Sequence, residues 1–238
     1  MLLGSILFLI FYFVVSVVIY TAAIPLFLGP RIVVIRCAQF WAKLMLWALR
    51  VFCGQTYEVR GREHIPHGAA LIASKHFAMW ETIAFMVLAD YPAIVLKREL
   101  MQIPFYGWYG IKMGMIPIDR SAKASAMRLM RRKAKAAMDA KRQIIIFPEG
   151  TRRDPGDPPA YKPGVAGLYS YLDVPCVPVA LTSGLFWRGS GFIKYPGNIV
   201  VEFLPAIAPG LKRDAFMAEL ETRIETATNR LLGEAGRH

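Results

Sequence analysis

The sequence predicts an α/β fold, a largely buried β-sheet covered by helices and preceded by N-terminal membrane-associated helices. Three observations carry that expectation. No charged residue occurs from Leu2 to Pro30, short β-rich runs then alternate with helical stretches, and runs such as Gln143-Ile144-Ile145-Ile146-Phe147 are apolar throughout. Continuous apolar runs suit strands packed on both faces, whereas a half-exposed strand would alternate. At 238 residues the chain fits a single domain of generous size.

In chain order, Leu2 to Ile24 exceeds the about 20 apolar residues that cross a bilayer core and reads as a membrane helix. A cleaved signal peptide would need a basic leader and an apolar stretch of only about 7 to 15 residues, and this segment has neither. Arg31, Arg36, Lys43 and Arg50 follow it, so the positive-inside rule places the rest of the protein on the cytoplasmic face of the inner membrane. Residues 31 to 53 read as a basic amphipathic helix, because Arg36, Lys43 and Arg50 recur every seven residues and drift by only about 20° per step. Two compatible roles are open to that helix, lying in the lipid interface or packing its apolar side on the domain core. Residues 1–53 form the first unit and 54–238 the second.

Beyond residue 54, strands are expected near 56–60, 69–74, 93–97, 115–119, 143–148, 175–181 and 198–204, with helices near 79–90, 122–140, 163–172 and 212–232. The helix after 122 carries Arg128, Arg131, Arg132, Lys133 and Lys135; it reads as a solvated face that could also meet anionic lipid. The loop Asp154-Pro155-Gly156-Asp157-Pro158-Pro159 is the densest in proline and glycine and reads as a surface connection or a flap.

A net charge of +12, from 29 basic and 17 acidic side chains, points to a polyanionic partner. The anchor favours a phospholipid bilayer, and no nucleic-acid-binding motif is present. Cys37, Cys53 and Cys176 are scattered and suggest neither a disulfide framework nor a zinc site. His64 and His67 sit in a loop without helical ligand spacing, so no metal site is expected there.

The chemistry gathers around Lys75-His76-Phe77-Ala78-Met79-Trp80-Glu81. His76 has the side chain suited to proton abstraction near neutral pH, and a carboxylate can hold its imidazole in one tautomer. Residues five apart do not face each other on a straight helix. His76 is therefore expected on the turn after strand 69–74, with Glu81 in the first turn of the next helix, where the dipole favours a carboxylate. Three further blocks follow: Gly114-Met115-Ile116-Pro117-Ile118-Asp119-Arg120, then Phe147-Pro148-Glu149-Gly150-Thr151-Arg152, then Val174-Pro175-Cys176-Val177-Pro178-Val179-Ala180.

In this order and spacing the four blocks resemble the glycerolipid acyltransferase family, most closely its bacterial 1-acyl-sn-glycerol-3-phosphate acyltransferases, over roughly residues 55 to 205. The resemblance implies a single acyltransferase domain with a mixed sheet. It also implies transfer of an acyl chain from a thioester co-substrate, acyl-CoA or acyl carrier protein, to lysophosphatidate, with no cofactor. His76 would be the general base and Glu81 its orienter. Lys97, Arg120 and Arg152 would hold the acceptor's phosphate, and Glu149, Gly150 and Thr151 would line the same site.

Two positions depart from the family pattern, which commonly has Asp where this chain has Glu81 and Asn where it has Lys75. Lys75 is expected to set a cation beside the base and favour its neutral, proton-accepting form. Cys176 as an acyl-carrying nucleophile is a poor fit, since a thiol in an apolar strand is usually inert. Acyl transfer to another lysolipid, such as a lyso-ornithine lipid, non-catalytic lipid binding, and metal-dependent lipid hydrolysis are the alternative functions.

Overall fold

The computed structural model describes residues 1–65, 67–119, 123–189 and 191–235. Two N-terminal helices, α1 (Leu2–Ala22) and α2 (Arg31–Cys53), lead into strand β1 (Gln55–Arg60). The chain continues through β2 (Ala70–Ser74), α3 (Trp80–Leu88), β3 (Pro92–Lys97), α4 (Tyr106–Met113), β4 (Ile116–Ile118), α5 (Lys123–Asp139) and β5 (Gln143–Ile146). It ends with α6 (Gly164–Leu172), β6 (Cys176–Leu181), the short α7 (Ser183–Phe186), β7 (Gly197–Phe203) and α8 (Arg213–Ala235).

All seven strands join one sheet in the order β1-β7-β6-β2-β5-β3-β4. Every neighbouring pair is parallel except β6 with β7, so the sheet is mixed. Successive residues of a strand point to opposite faces, and here both faces are covered. Ile72, Ile94 and Ile145 pack with α2 and α3, while their neighbours Leu71, Ala73, Ala93, Ile144 and Ile146 pack with α5, α6 and α8. That double covering explains the unbroken apolar runs.

The apolar N-terminus is a helical hairpin. Helices α1 and α2 are both long and apolar enough to cross a membrane, and they are joined by a 3-10 turn at Ile24–Leu28. They meet closely where Gly4 lies against α2: a Cβ added there would stand 2.0 Å from the Phe52 carbonyl oxygen. Trp41 Nε1 donates to Ser16 Oγ at 3.0 Å further along. Helix α1 is buried along little of its length and exposes Leu3, Ile10, Phe13, Val14 and Val17. Helix α2 does two jobs. Val34, Ile35, Ala42, Met45 and Leu49 are buried, with most of that face joining the core that packs α3. Phe40 and Trp47 are exposed between Arg36, Lys43 and Arg50 on the opposite side.

Helices α4 and α7 were not expected from the sequence. Gly107 and Gly110 lower the helix propensity of the α4 segment, yet both are required there. A Cβ on Gly107 would stand 2.0 Å from the Met101 carbonyl oxygen, and one on Gly110 would stand 2.9 Å from Met101 Sδ.

Candidate active site

Strand β2 sits near the middle of the sheet between β5 and β6, and all three are parallel. Their carboxyl ends therefore open on one edge, where α/β proteins place ligands. Lys75, just past β2, donates its backbone N–H to the Val179 carbonyl at 3.0 Å. The chain then turns away and enters α3 at Trp80. Glu81, in the first turn, reaches back over that turn. Its Oε1 accepts from Phe77 N at 3.3 Å and Ala78 N at 3.2 Å, and its Oε2 accepts from Ala78 N at 2.9 Å. The Ser183 hydroxyl, arriving from the adjacent carboxyl end of β6, donates to Oε1. Glu81 is fully buried, so these donors take the place of water around the carboxylate.

That carboxylate faces the histidine. His76 Nδ1 lies 3.4 Å from Glu81 Oε2, a contact longer than a hydrogen bond and without its alignment, and Nδ1 has no other partner. The imidazole is stacked on Phe147, with ring centroids 4.0 Å apart and planes 19° from parallel. Phe147 supplies one wall and Glu81 one edge, so the ring has little freedom.

The second loop is stitched to the first. Past β5 the chain turns at Gly150, whose φ of 69° is left-handed and costs glycine no steric penalty; its N–H donates to Phe147 O at 2.9 Å. Glu149 Oε2 accepts from His76 N at 3.3 Å, and Oε1 accepts from Lys75 Nζ at 2.8 Å. Arg153 N donates to His76 O at 2.9 Å. Burial pushes the Glu149 carboxyl above the usual carboxylate range, and the Lys75 ammonium works against that rise. Glu149 lines the cleft, but these hydrogen bonds engage both of its oxygens.

Lys75 corrects the expectation of a bare cation beside the base. It is buried, and besides Glu149 its ammonium binds Glu225 Oε1 of α8 at 2.7 Å. Tyr161 OH donates to the same Glu225 oxygen at 2.9 Å. Two carboxylates thus balance the lysine, because an unpaired buried charge is costly.

The expected phosphate ligands fall into two groups. Lys97, at the end of β3, is half exposed with Nζ 3.4 Å from Glu99. Arg152 is exposed and donates to the Gly189 carbonyl at 3.3 Å, and Thr151 beside it is exposed too. Arg120 lies outside the described residues, while Asp119 before it binds Arg98 at 2.7 Å. Lys97, Gly150, Thr151 and Arg152 share with His76 a cleft of about 1520 Å³ whose remaining wall runs through Met86 and Trp41 to Tyr12. The polar part of the cleft thus carries both signs, Lys97, Arg152, Arg153 and Lys162 with Asp119, Glu149, Asp154 and Asp157, and the wall toward the hairpin is apolar. Cys176 stands apart, buried in β6, and its burial pushes the thiol up toward an inert, protonated state.

Phe147 and Ser183 were not marked as functional from the sequence. Phe147 lies inside a recognised block, but nothing in the spacing shows that it stacks on His76. Ser183 is separated from Glu81 by 102 positions and carries no local signal.

Residues 56–182 match the family described as Acyltransferase. The chain is 34% identical over 196 residues to the 1-acyl-sn-glycerol-3-phosphate acyltransferase of Pseudomonas aeruginosa, covering 82% of this chain and 76% of that one. It is 32% identical over 166 residues to a protein of the same name from Limnanthes alba, covering 69% of this chain and 57% of that one. Its fold is similar to the crystal structure of the 1-acyl-sn-glycerophosphate (LPA) acyltransferase PlsC from Thermotoga maritima, with a TM-score of 0.77 at 22% identity over 95% of both chains.

Proposed function

The chain belongs to the acyltransferase family, and on that premise we propose that it acylates 1-acyl-sn-glycerol-3-phosphate to phosphatidate. The acyl donor is a thioester, acyl-CoA or acyl carrier protein. The observation that carries the reading is one cleft in which a histidine beside a buried carboxylate stands between a polar end that includes Lys97 and Arg152 and an apolar wall. A lysophosphatidate has matching parts: phosphate, free hydroxyl and acyl chain.

His76 acts as general base. Glu81 closes its 3.4 Å separation from Nδ1 in the reacting complex and accepts the hydrogen there, which leaves Nε2 free to accept the proton of the acceptor hydroxyl as its oxygen attacks the thioester carbonyl. The C–O bond forms, the C–S bond breaks, and the imidazolium returns the proton to the departing thiolate. Glu81 stays ionised and stabilises that imidazolium, as in a triad whose serine is supplied by the substrate. Lys97, Arg120 and Arg152 bind the phosphate. Arg152 does so as a planar fork matched to phosphate oxygens. Gly150 and Thr151 shape the loop that presents it, and Glu149 fixes that loop to the turn bearing His76.

The same proposal places residues 1–53 in the cytoplasmic face of the membrane and residues 54–238 as the catalytic part. The apolar face of α1 and the Phe40 and Trp47 side chains between the cations of α2 support contact with anionic lipid. The lysolipid then enters from the bilayer in which it resides.

The test is acyl transfer by purified protein given lysophosphatidate and each thioester donor. His76→Ala is expected to lose about 10²- to 10⁴-fold in kcat. Equal turnover by the wild type and the variant would overturn the mechanism.

A further inference from the structure

Glu149 accepts the His76 N–H more strongly as a carboxylate than as a carboxylic acid, and the groups that favour its ionised form lie outside the cleft. Lys75 and Glu225 do not line the cleft of His76. They line a separate cavity of about 370 Å³ between α8 and the 154–159 loop, bordered also by Asp154, Asp157 and Thr228. They lie outside the cleft expected to hold the acceptor, yet they connect to the base in three steps. Tyr161 OH and Lys75 Nζ both bond to Glu225 Oε1, Lys75 Nζ bonds to Glu149 Oε1, and Glu149 Oε2 takes the His76 N–H.

Building on the acyltransferase reading above, we propose that Lys75 and Glu225 are positioning residues that set the catalytic turn from the C-terminal helix α8, acting on His76 through Glu149. The geometry gives each member one task. Lys75 holds Glu149 in the orientation that presents its second oxygen to the His76 amide. Glu225 holds the Lys75 ammonium, which would otherwise have one carboxylate and an apolar neighbour, the Phe77 ring 5.5 Å away. Tyr161 stays protonated, its phenol pushed up by burial and by the Glu225 carboxylate, and so remains a donor. The arrangement also accounts for this chain's lysine where the family commonly has asparagine. An asparagine is too short to span from the turn to α8, so the lysine and Glu225 work as a pair.

The titratable and charged groups around the Glu149 carboxyl are Lys75 and His76 on the turn after β2, Glu225 on α8 and Tyr161 before α6; Glu221 on α8 faces Tyr161. Lys75 is the cation directly bonded to Glu149, so its removal raises the carboxyl's affinity for a proton. A protonated Glu149 still fits, but it presents a weaker acceptor to the His76 N–H.

The experiment measures kcat and KM for lysophosphatidate across pH, with full-length protein in lipid vesicles, for Lys75→Met, Lys75→Arg, Glu225→Gln and Lys75→Met/Glu149→Gln. Lys75→Met is expected to lose about 10²-fold in kcat at neutral pH, the scale of a small misplacement of a catalytic group. Its KM should be unchanged and its activity should recover as pH rises and Glu149 ionises. Lys75→Arg should restore most of kcat. The double variant should have a kcat that no longer climbs with pH in that range. Wild-type kcat and pH profile in a folded Lys75→Met would overturn the proposal. Should Lys75→Met fail to fold, Glu225→Gln decides, a kcat loss at constant KM supporting the link and an unchanged kcat refuting it. A wild type inactive on lysophosphatidate would refute the substrate reading instead, which a binding assay with the same variants separates from this one.

Discussion

Glu81→Gln isolates charge from shape at the residue that orients His76. The glutamate's two oxygens receive three contacts from two backbone N–H groups and one from the Ser183 hydroxyl, and Oε2 also faces His76 Nδ1 at 3.4 Å. A glutamine keeps one oxygen and replaces the other with an NH₂ donor. If the oxygen stays with Phe77 and Ser183, the NH₂ lies against the Ala78 N–H, and it also offers Nδ1 a proton. His76 then carries its hydrogen on Nε2, the wrong nitrogen for taking a proton from the acceptor. If the amide flips, the NH₂ confronts Phe77 N, and Ser183 must rotate to accept. One buried donor is opposed by another in either orientation, a cost of about 1 to 3 kcal/mol. At this chain length that lowers the melting temperature by about 2 to 12 °C, taking about 2 to 4 °C per kcal/mol. The catalytic loss is larger: wrong tautomer and lost imidazolium stabilisation remove about 10²- to 10⁴-fold in kcat, or about 3 to 5 kcal/mol at 1.36 kcal/mol per decade. Stopped assays of acyl transfer with saturating donor give kcat and KM, and thermal unfolding gives the melting shift. A variant that melts lower but keeps its kcat within about threefold, well below the range for a lost general base, would show that Glu81 only braces the turn.

Two further substitutions probe the ends of the cleft. Arg152→Ala is expected to raise KM for lysophosphatidate by about tenfold at constant kcat, the low end for a charge-assisted bond because the side chain is exposed; kinetics with an acceptor lacking phosphate should show no such rise. Gly4→Ala would drive a Cβ to 2.0 Å from Phe52 O and part the hairpin. It should cost about 1 to 3 kcal/mol in thermal unfolding while leaving kcat intact, since neither Gly4 nor Phe52 lines the cleft.

What the sequence could and could not disclose follows from range. Strands β2, β5 and β6 were legible because each is buried along its whole length, so apolar runs mark them without knowledge of their partners. The placement of Glu81 in the first turn of α3 was legible because five-residue spacing excludes a shared helix face. Local cues misjudged the 106–113 segment. Its glycines oppose a helix, and only the close approach of Met101 shows that nothing larger fits. Ser183 and Glu225 could not be found locally at all. Their partners are 102 and 150 positions away, and the contacts exist because β6 returns beside β2 and α8 crosses the face behind it. Lys75 is the telling case. Read locally, it was a positive charge beside a base; read in the fold, it is a buried ammonium held by two carboxylates. A lysine at that position is tolerable only if the sheet face brings carboxylates to it, so the departure at position 75 and the glutamate at 225 have to be read together. By the same logic the departure at position 81 is joined to Ser183: a glutamate is held in place there by a hydroxyl that the sheet, not the local sequence, delivers.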